Sequence, residues 1–584
     1  MGTQITSDSL IPIEQHFRVS AGPGAGKTHW LINHIKNVLH TSDRLQKTRK
    51  IACITYTNVA VETILKRLGN ASNRVEVSTI HSFLYKHIVK PYVRFIADEY
   101  EINSKLIDGH DDVEIERSYI IEWIKNHKNV SSLKHPYSFK QLTKLEDNIQ
   151  AIRNWLSAIK FKLDSSGSLH IYSIPSKAHS NNSANRKYLS KECLTLLEKD
   201  FISLKKLYWR NGVLAHDDVL FLAYQLLVKF PFISDVLNAK FPYFYVDEFQ
   251  DSNPIQIEIL KIIGQYETKL GVVGDKSQSI YSFQGADPNQ FNEFDLSQIY
   301  DYKILDNRRS TNQIIDLLNI IRPNFKQNGI ININDELPCI LVGNAVSALN
   351  KCKEICATDE INVLTRNNLT SNAIKKEMGS DISTINLLEE LFDIDSNNER
   401  RKVISSCIKA VEFAKSKCIK DALKNIMQFC EENKKANPEA LRFLFLLVNR
   451  YNEYCEGNVI DFHDFVSKNI RILPGFREGK IKNFYTNTPY KQLAIAVNIV
   501  GDRALCRTIH KSKGDEFNNV MLILKKESDL DFLFNPDLDG EEEHRIYYVA
   551  ASRAKRKLFI SIPSLTDGNR TKLKDFPIGI IDLV

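Results

Sequence analysis

At 584 residues, with 43% hydrophobic and 26% charged side chains, the chain has the balance of a soluble globular protein of about three or four domains. No stretch reads as a membrane span, and the polar start MGTQITSDSL lacks the basic region of a secretory signal, so a cytoplasmic protein without a membrane partner is expected. A net charge of +7 and a pI near 8.6 permit a polyanionic partner without requiring one.

Residues 1–85 alternate strand and helix patterns: strand 17–20, helix 28–40, strand 51–56, helix 59–68, strand 75–79. Such alternation predicts a parallel sheet flanked by helices. The basic run RLQKTRK at 44–50 falls between a helix and a strand and reads as a solvated loop. From 86 to 200 strands fade and charged amphipathic segments replace them (119–127, 145–161), with a Ser- and Asn-rich tract at 164–186 that reads as a mobile loop. A helical pattern returns at 212–228, and sheet patterns at 244–246 and 270–273. A second α/β region begins near 302, with strands expected at 339–342 and 361–364. Residues 380–495 are mainly helical (403–415, 419–432, 438–454), and strands return at 504–509, 520–524 and 558–562. The ten cysteines include no C-x-x-C pair. Cys352 and Cys356 share a predicted helix but lack a second pair or a nearby His, so reduced, buried thiols are expected there.

Two distant stretches carry chemistry. AGPGAGKT, Ala21, Gly22, Pro23, Gly24, Ala25, Gly26, Lys27 and Thr28, follows a short strand and opens a helix. That is the context of a phosphate-binding loop: small residues let backbone N–H groups wrap phosphates, Lys27 reaches the β- and γ-phosphates, and the Thr28 hydroxyl ligates Mg²⁺. YVDEFQDS at 245–252 delivers Asp247 and Glu248 to the end of a buried strand. An isolated Asp-Glu pair is commonly just a solvated strand end. Downstream of a phosphate loop it reads as a Mg²⁺ ligand, Asp247, and a residue that activates water, Glu248. The next apolar run leads into Gly274-Asp275-Lys276-Ser277-Gln278, where Gln278 is placed to sense the γ-phosphate.

In this order the motifs resemble those of superfamily 1 helicases of the UvrD/Rep/PcrA type: AGPGAGKT at 21–28, ITYTN at 54–58, STIHSF at 78–83, LAHDDVL at 214–220, VDEFQD at 246–251, VGDKSQSIYSFQGA at 273–286, LDNRRST at 305–311, TIHKSKGDEF at 508–517 and YVAASRA at 548–554. The resemblance implies two RecA-like parallel-sheet domains, each interrupted by a mainly helical insertion. The expected boundaries are 1–87 and 201–300 for the first core, 88–200 for its insertion, 301–379 and 501–584 for the second core, and 380–500 for a reduced second insertion. It implies ATP with Mg²⁺ in the cleft and Arg309 and Arg553 as arginine fingers. Glu516 is implied at the ribose and His29 beside the nucleotide. Tyr56, Tyr281 and Phe283 are implied as stacking platforms for single-stranded bases, and Thr57, Asn58, His81, Thr508 and His510 lie near the DNA backbone by the same resemblance.

The departures are specific. His29 stands where the family usually has Arg, Phe283-Gln284 where it has Trp-Arg, Arg308 where it has an aromatic residue, and Asp515 where it has an apolar one. Gln15 and Gln4 are both candidates for the glutamine that reads adenine. The compact layout resembles the helicase-like subunits of Gabija anti-phage systems, which work with a separate nuclease subunit. The expected function is therefore an ATP-dependent DNA translocase or helicase, 3′ to 5′ by resemblance, acting on single strands or duplex ends with a nuclease partner. A DNA-end-sensing ATPase that switches a nuclease, or an autonomous repair helicase, would use the same site.

Overall fold

The computed structural model describes residues 2–111, 113, 115–133, 145–164, 166–179, 189–282, 285–375, 387–395, 397–430, 438–497 and 505–583. Two parallel sheets organise it. The first contains β1 (Thr3–Ile5), β2 (His16–Ala21), β3 (Ile51–Thr55), β4 (Val75–Thr79), β5 (Tyr243–Val246), β6 (Lys269–Gly274) and β7 (Ile299–Ile304), in the order β1-β7-β2-β6-β5-β3-β4. The second contains β8 (Cys339–Val342), β9 (Ile361–Thr365), β10 (Cys506–Thr508), β11 (Phe517–Ile523), β12 (Ala554–Ile562) and β13 (Gly579–Asp582), in the order β10-β9-β11-β12-β8-β13.

Both sheets are covered on both faces, which is why their central strands are apolar runs rather than alternating ones. Every residue of β3 and β5 is buried. On one face of the first sheet helix α1 (Lys27–Thr41) packs Trp30, Leu31, Ile35 and Val38. On the other, Phe83, Leu222 and Ile259 join the strand residues Phe244 and Leu270. The second sheet is sandwiched in the same way, with Ile340, Leu522 and Ile546 on one side and Leu341, Met521 and Cys352 on the other. Cys352 and Cys356 are buried free thiols, as expected.

The structure moves two expected boundaries. β7 crosses residue 300 and stays in the first sheet, in register with β2 (Val19↔Tyr302, Ala21↔Ile304), because Ile304 is buried in that core. The first core therefore ends at 304. The helix Phe201–Arg210, assigned to the core from the sequence, packs instead on Arg117–Asn126 of the insertion. Its Tyr208 ring lies 4.4 Å from that of Tyr119, and its hydroxyl accepts from Glu116 N. The insertion is also not free of strands. Lys160–Leu163 pairs antiparallel with Leu169–Tyr172, and Phe161 stacks 4.7 Å from Phe221 of the core helix His216–Lys229. The tract at 164–186, expected as a mobile loop, thus begins with an ordered turn, where Asp164 accepts from Ser166 and Ser168 N–H groups. Residues 180–188 lie outside the described residues, as do the expected boundaries at 379 and 500.

The second insertion is helical, with Asn398–Lys415, Ile419–Met427, Pro438–Asn449 and Val459–Asn469 around a core of Leu391, Val411, Leu447, Tyr454 and Tyr485. A buried pair, Arg400 with Asp395 at 2.7 Å, holds it, and Tyr485 donates to the same carboxylate at 2.8 Å.

Candidate nucleotide site and its nucleic-acid face

The phosphate loop runs between β2, which ends at Ala21, and α1, which begins at Lys27. Gly24 and Gly26 adopt left-handed φ values of 70° and 78°. At Gly24 the constraint is double. A Cβ there would sit 2.6 Å from Asn307 Oδ1 and 2.7 Å from Arg309 Cβ. The second core thus closes directly over the loop. Pro23 O accepts from Asn307 Nδ2 (3.1 Å) and Gln327 Nε2 (3.0 Å), and Gly24 O accepts from Arg308 N (2.9 Å). Buried Lys27 donates from Nζ to Ala21 O at 3.4 Å, a long bond that leaves the ammonium donors for a phosphate.

The acidic pair lies across from the loop. Thr28 Oγ1 donates to Asp247 Oδ2 at 3.0 Å, bringing together two hard oxygen ligands. Mg²⁺ retains water and substrate phosphates and takes only one or two protein ligands, so this pair fits it. Among the described residues no larger His, Cys, Asp or Glu cluster could hold a metal ion. Glu248 adopts φ 55°, a left-handed conformation that costs a non-glycine residue about 1 kcal/mol. Its carboxylate accepts from Gln250 Nε2 at 2.6 Å, and Gln250 Oε1 accepts from Asp275 N at 3.0 Å. Burial, then the Glu248 charge, raises the pKa of Asp247. Burial pushes Glu248 upward too, but Lys27, Lys513, the Gln250 bond and Arg553 outweigh it and hold Glu248 below the usual carboxylate range. Glu248 is therefore the carboxylate that stays ionised, which is the form that accepts a proton.

The second core completes the site. Arg553 Nη2 donates to Gln278 Oε1 at 3.1 Å, while Gln278 Nε2 donates to Asp275 Oδ2 at 2.6 Å. Arg322 pairs with Asp275 at 2.9 Å. Arg309 donates to Ser552 O (2.9 Å) and Glu516 Oε1 (2.8 Å), and its Nε is buried without a hydrogen-bond partner. Burial, then the neighbouring Arg309, pushes Arg553 down to about 9. A buried and a partly buried guanidinium that repel each other, one with an unused donor, make a place for a polyanion. Glu516 also pairs with Lys555 at 3.1 Å.

Further residues join the cores, and sequence reasoning missed them. Lys513 Nζ donates to Asp251 Oδ2 (2.5 Å) and Gln278 O (2.7 Å). Arg545 donates to Ser279 O at 2.8 Å. Lys513 and Arg545 lie in or beside quoted motifs, whereas Gln327 had no local signal.

The expected DNA residues among the described ones come from both cores. Tyr56 and Tyr281 stack on each other with centroids 4.8 Å apart, and Tyr281 OH donates to His510 O at 3.2 Å. Thr57 caps the helix Asn58–Leu68 by accepting from Ala60 N, and Asn58 is exposed. His81 faces His110 and His216. Thr508 is buried at the end of β10. Phe283 lies outside the described residues. His29 is half-exposed and bonds Asp8 (3.2 Å) and Asn33 (2.9 Å), and Arg308 bonds the same Asp8 carboxylate at 2.7 Å. Gln15 donates to Tyr302 OH at 2.7 Å, while Gln4 is exposed on the edge strand β1.

With that geometry in view, the sequence profile of the UvrD/REP helicase N-terminal domain matches residues 3–298. The chain belongs to the UvrD/REP helicase family. The UvrD-like helicase C-terminal domain matches residues 394–564, so both cores carry the family pattern. Similar proteins include Gabija protein GajB of Bacillus cereus (strain HuB5-5), 24% identical over 94% of this chain and 93% of its own length. ATP-dependent DNA helicase Rep of Buchnera aphidicola subsp. Schizaphis graminum is 24% identical over 93% of this chain and 90% of its own length. ATP-dependent DNA helicase PcrA of Staphylococcus aureus (strain Mu50 / ATCC 700699) is 24% identical over 95% and 82%.

Proposed function

We propose that this UvrD/REP-family enzyme is an ATP-driven motor on single-stranded DNA, moving 3′ to 5′. We propose further that it is the motor subunit of a cytoplasmic anti-phage complex with a nuclease partner. The observation that carries the motor reading is the bond from Arg553 of the second core to Gln278 of the first. It ties the closing of the cleft to the group beside the γ-phosphate position.

ATP with Mg²⁺ supplies the transferable phosphoryl group and neutralises its charge. Lys27 and the 21–28 backbone would hold the phosphates, and Thr28 and Asp247 would hold the metal ion. Glu248, kept ionised, takes the proton of the attacking water. Arg309 and Arg553 balance charge on the phosphoryl oxygens, and Gln278 couples their arrival to the first core. Loss of that charge releases the fingers, and the grip of Tyr56 and Tyr281 on stacked bases alternates with it.

The defence role is supported by the similarity to GajB, whose match spans 94% of this chain and 93% of its own length, and the match to Rep, at 93% and 90%, keeps the autonomous helicase as the alternative that experiment decides. The deciding experiment is strand displacement by the purified chain on a duplex with a 3′ tail, with ATP turnover read in the same tube. Unwinding coupled to turnover, abolished in Lys27→Ala and Glu248→Gln, is the expected result. Turnover without unwinding identifies a DNA-end sensor that licenses the nuclease. DNA-stimulated turnover that survives both substitutions overturns the site assignment.

A further inference from the structure

The segment LAHDDVL carries a histidine that the nucleotide site does not use. His216 Nδ1 lies 2.7 Å from His110 Nδ1, although the two are 106 residues apart. The chain brings them together by pairing Asp111 with Ala215, with Asp111 N donating to Leu214 O. Tyr85 OH fixes the same loop by accepting from Gly109 N at 2.7 Å. His81 completes a triangle, its ring 5.3 Å from His216 and 6.3 Å from His110. All three line a cavity of 620 Å³, together with Tyr56, Thr57, Thr79 and Ser82.

We infer that His81, His110 and His216 form a proton-dependent phosphate clamp, in which the His110–His216 pair takes up one proton as a phosphodiester of the single strand enters the cavity. The inference rests on the DNA-motor reading above and adds residues and a proton to it.

The geometry sets the stoichiometry. Two Nδ1 atoms at 2.7 Å hold one proton between them, one ring donating and the other accepting. One added proton makes the donor ring an imidazolium and strengthens that bond, while a second would place two cations in contact. Thr57 and Ser82 line the cavity with hydroxyls suited to phosphate oxygens, while the Thr79 hydroxyl beside them donates to Ser82 Oγ. Asp111 stands beside His110, and Asp217 adjoins His216. Asp218 is committed to Lys205 at 2.8 Å and to the Ala215 N–H. Lys90 lies 5.8 Å above the Tyr85 ring and pairs with Asp108. The Tyr56 phenol is raised by burial and then by Asp251, so it stays neutral.

Burial, then the charges of His216 and His110, pushes His81 down to about 4. Burial and then His216 lower His110, against Asp111. Without an anion these two rings are neutral at pH 7. A bound phosphate draws a proton in, so binding is coupled to proton uptake and affinity rises as pH falls.

The test is fluorescence anisotropy of a labelled oligothymidine with the full chain, in EDTA and without nucleotide, at constant ionic strength. From about pH 8 to about pH 6 the wild type should tighten about tenfold. Its salt slope should steepen by about 0.7, the value for one further phosphate contact on a single strand. His216→Gln and, independently, His110→Gln should each reduce the tightening to about twofold or less. Unchanged thermal unfolding checks that each variant is folded. Binding with a flat pH profile in the wild type, or the full profile in both folded variants, overturns the clamp alone. No binding at any pH overturns the DNA-motor reading and the clamp with it.

Discussion

Lys513 reaches out of the second core and places its ammonium 2.5 Å from the Asp251 carboxylate of the first, with both side chains buried. The same nitrogen donates to the Gln278 carbonyl and lies 4.7 Å from the centroid of the Tyr281 ring. One side chain therefore touches the acidic motif, the Gln278 backbone and the Tyr281 ring. Removing one partner of such a pair strands the other charge, so Lys513→Met and Asp251→Leu should each cost about 3–5 kcal/mol. The double variant should cost clearly less than their sum in urea unfolding, while DNA-stimulated turnover stays lost. Additive stability losses would mean that the pair is not an energetic unit.

The same carboxylate makes a pH prediction. Burial raises Asp251 to about 6, against the opposing pull of Lys513. A carboxyl whose folded pKa is raised binds its proton more tightly when folded. Its contribution to stability therefore falls as pH rises from about 4 to about 6 and is constant above that. DNA-stimulated turnover should show an acid limb near pH 6, where protonation breaks the pair with Lys513. The residual turnover of Asp251→Asn, which mimics the protonated carboxyl, should be low and should lack that limb. A limb that persists unchanged in Asp251→Asn belongs to another group.

Arg553 and Gln278 form one of several bonds across the cleft. Arg553→Ala should lower kcat about 10³-fold, the scale of an arginine finger. Arg309→Ala should do the same. Because both answer one developing charge, the double variant should fall little further. Single-turnover rates are the measurement, and multiplicative losses would separate the two roles.

Gly24 and Gly22 should respond differently to the same added methyl. At Gly24 a Cβ meets Asn307 Oδ1 and Arg309 Cβ, and φ is left-handed at 70°. Gly24→Ala should misplace the finger and cost about 10²-fold in turnover. At Gly22 the Cβ meets only the end of the Gln327 side chain, at 2.6 Å, so Gly22→Ala should be milder. Steady-state turnover with mant-ATP binding distinguishes lost closure from lost affinity.

Tyr281 stacks on Tyr56 and donates from its hydroxyl to His510 O. Tyr281→Ala should weaken single-strand binding by about 1–3 kcal/mol, whereas Tyr281→Phe, which keeps the π-face, should lose far less. Equal losses in both variants would assign the binding energy to the hydroxyl.

The stretches that meet at the cleft were legible because each is a short run with its own spacing: the loop at 21–28, the acids at 247–248, and Gln278. The long strands were legible because a two-sided parallel sheet demands apolar runs such as YFYV and IACIT. What the sequence hid depends on contacts between distant segments. β1 is a three-residue edge strand whose only signal is its partner β7. The Lys160–Leu163 hairpin strand has just four residues, too few for alternation to stand out. Gln327 gains its role only by meeting Pro23 across the cleft, and His110 gains its own only by meeting His216.

Among the described residues the chain passes between its two cores once, through the residues that follow β7. Arg309 lies five residues beyond the end of that strand, while Arg553 stands at the far end of the helix Glu542–Ala551. Sequence distance does not separate them in space: Arg309 donates to Ser552 O at 2.9 Å, and Arg553 donates to the hydroxyl of the same serine. Opening of the second core therefore carries the two guanidiniums together, and the separation of Arg553 from Gln278 is the coordinate that a spectroscopic ruler across the cleft should follow.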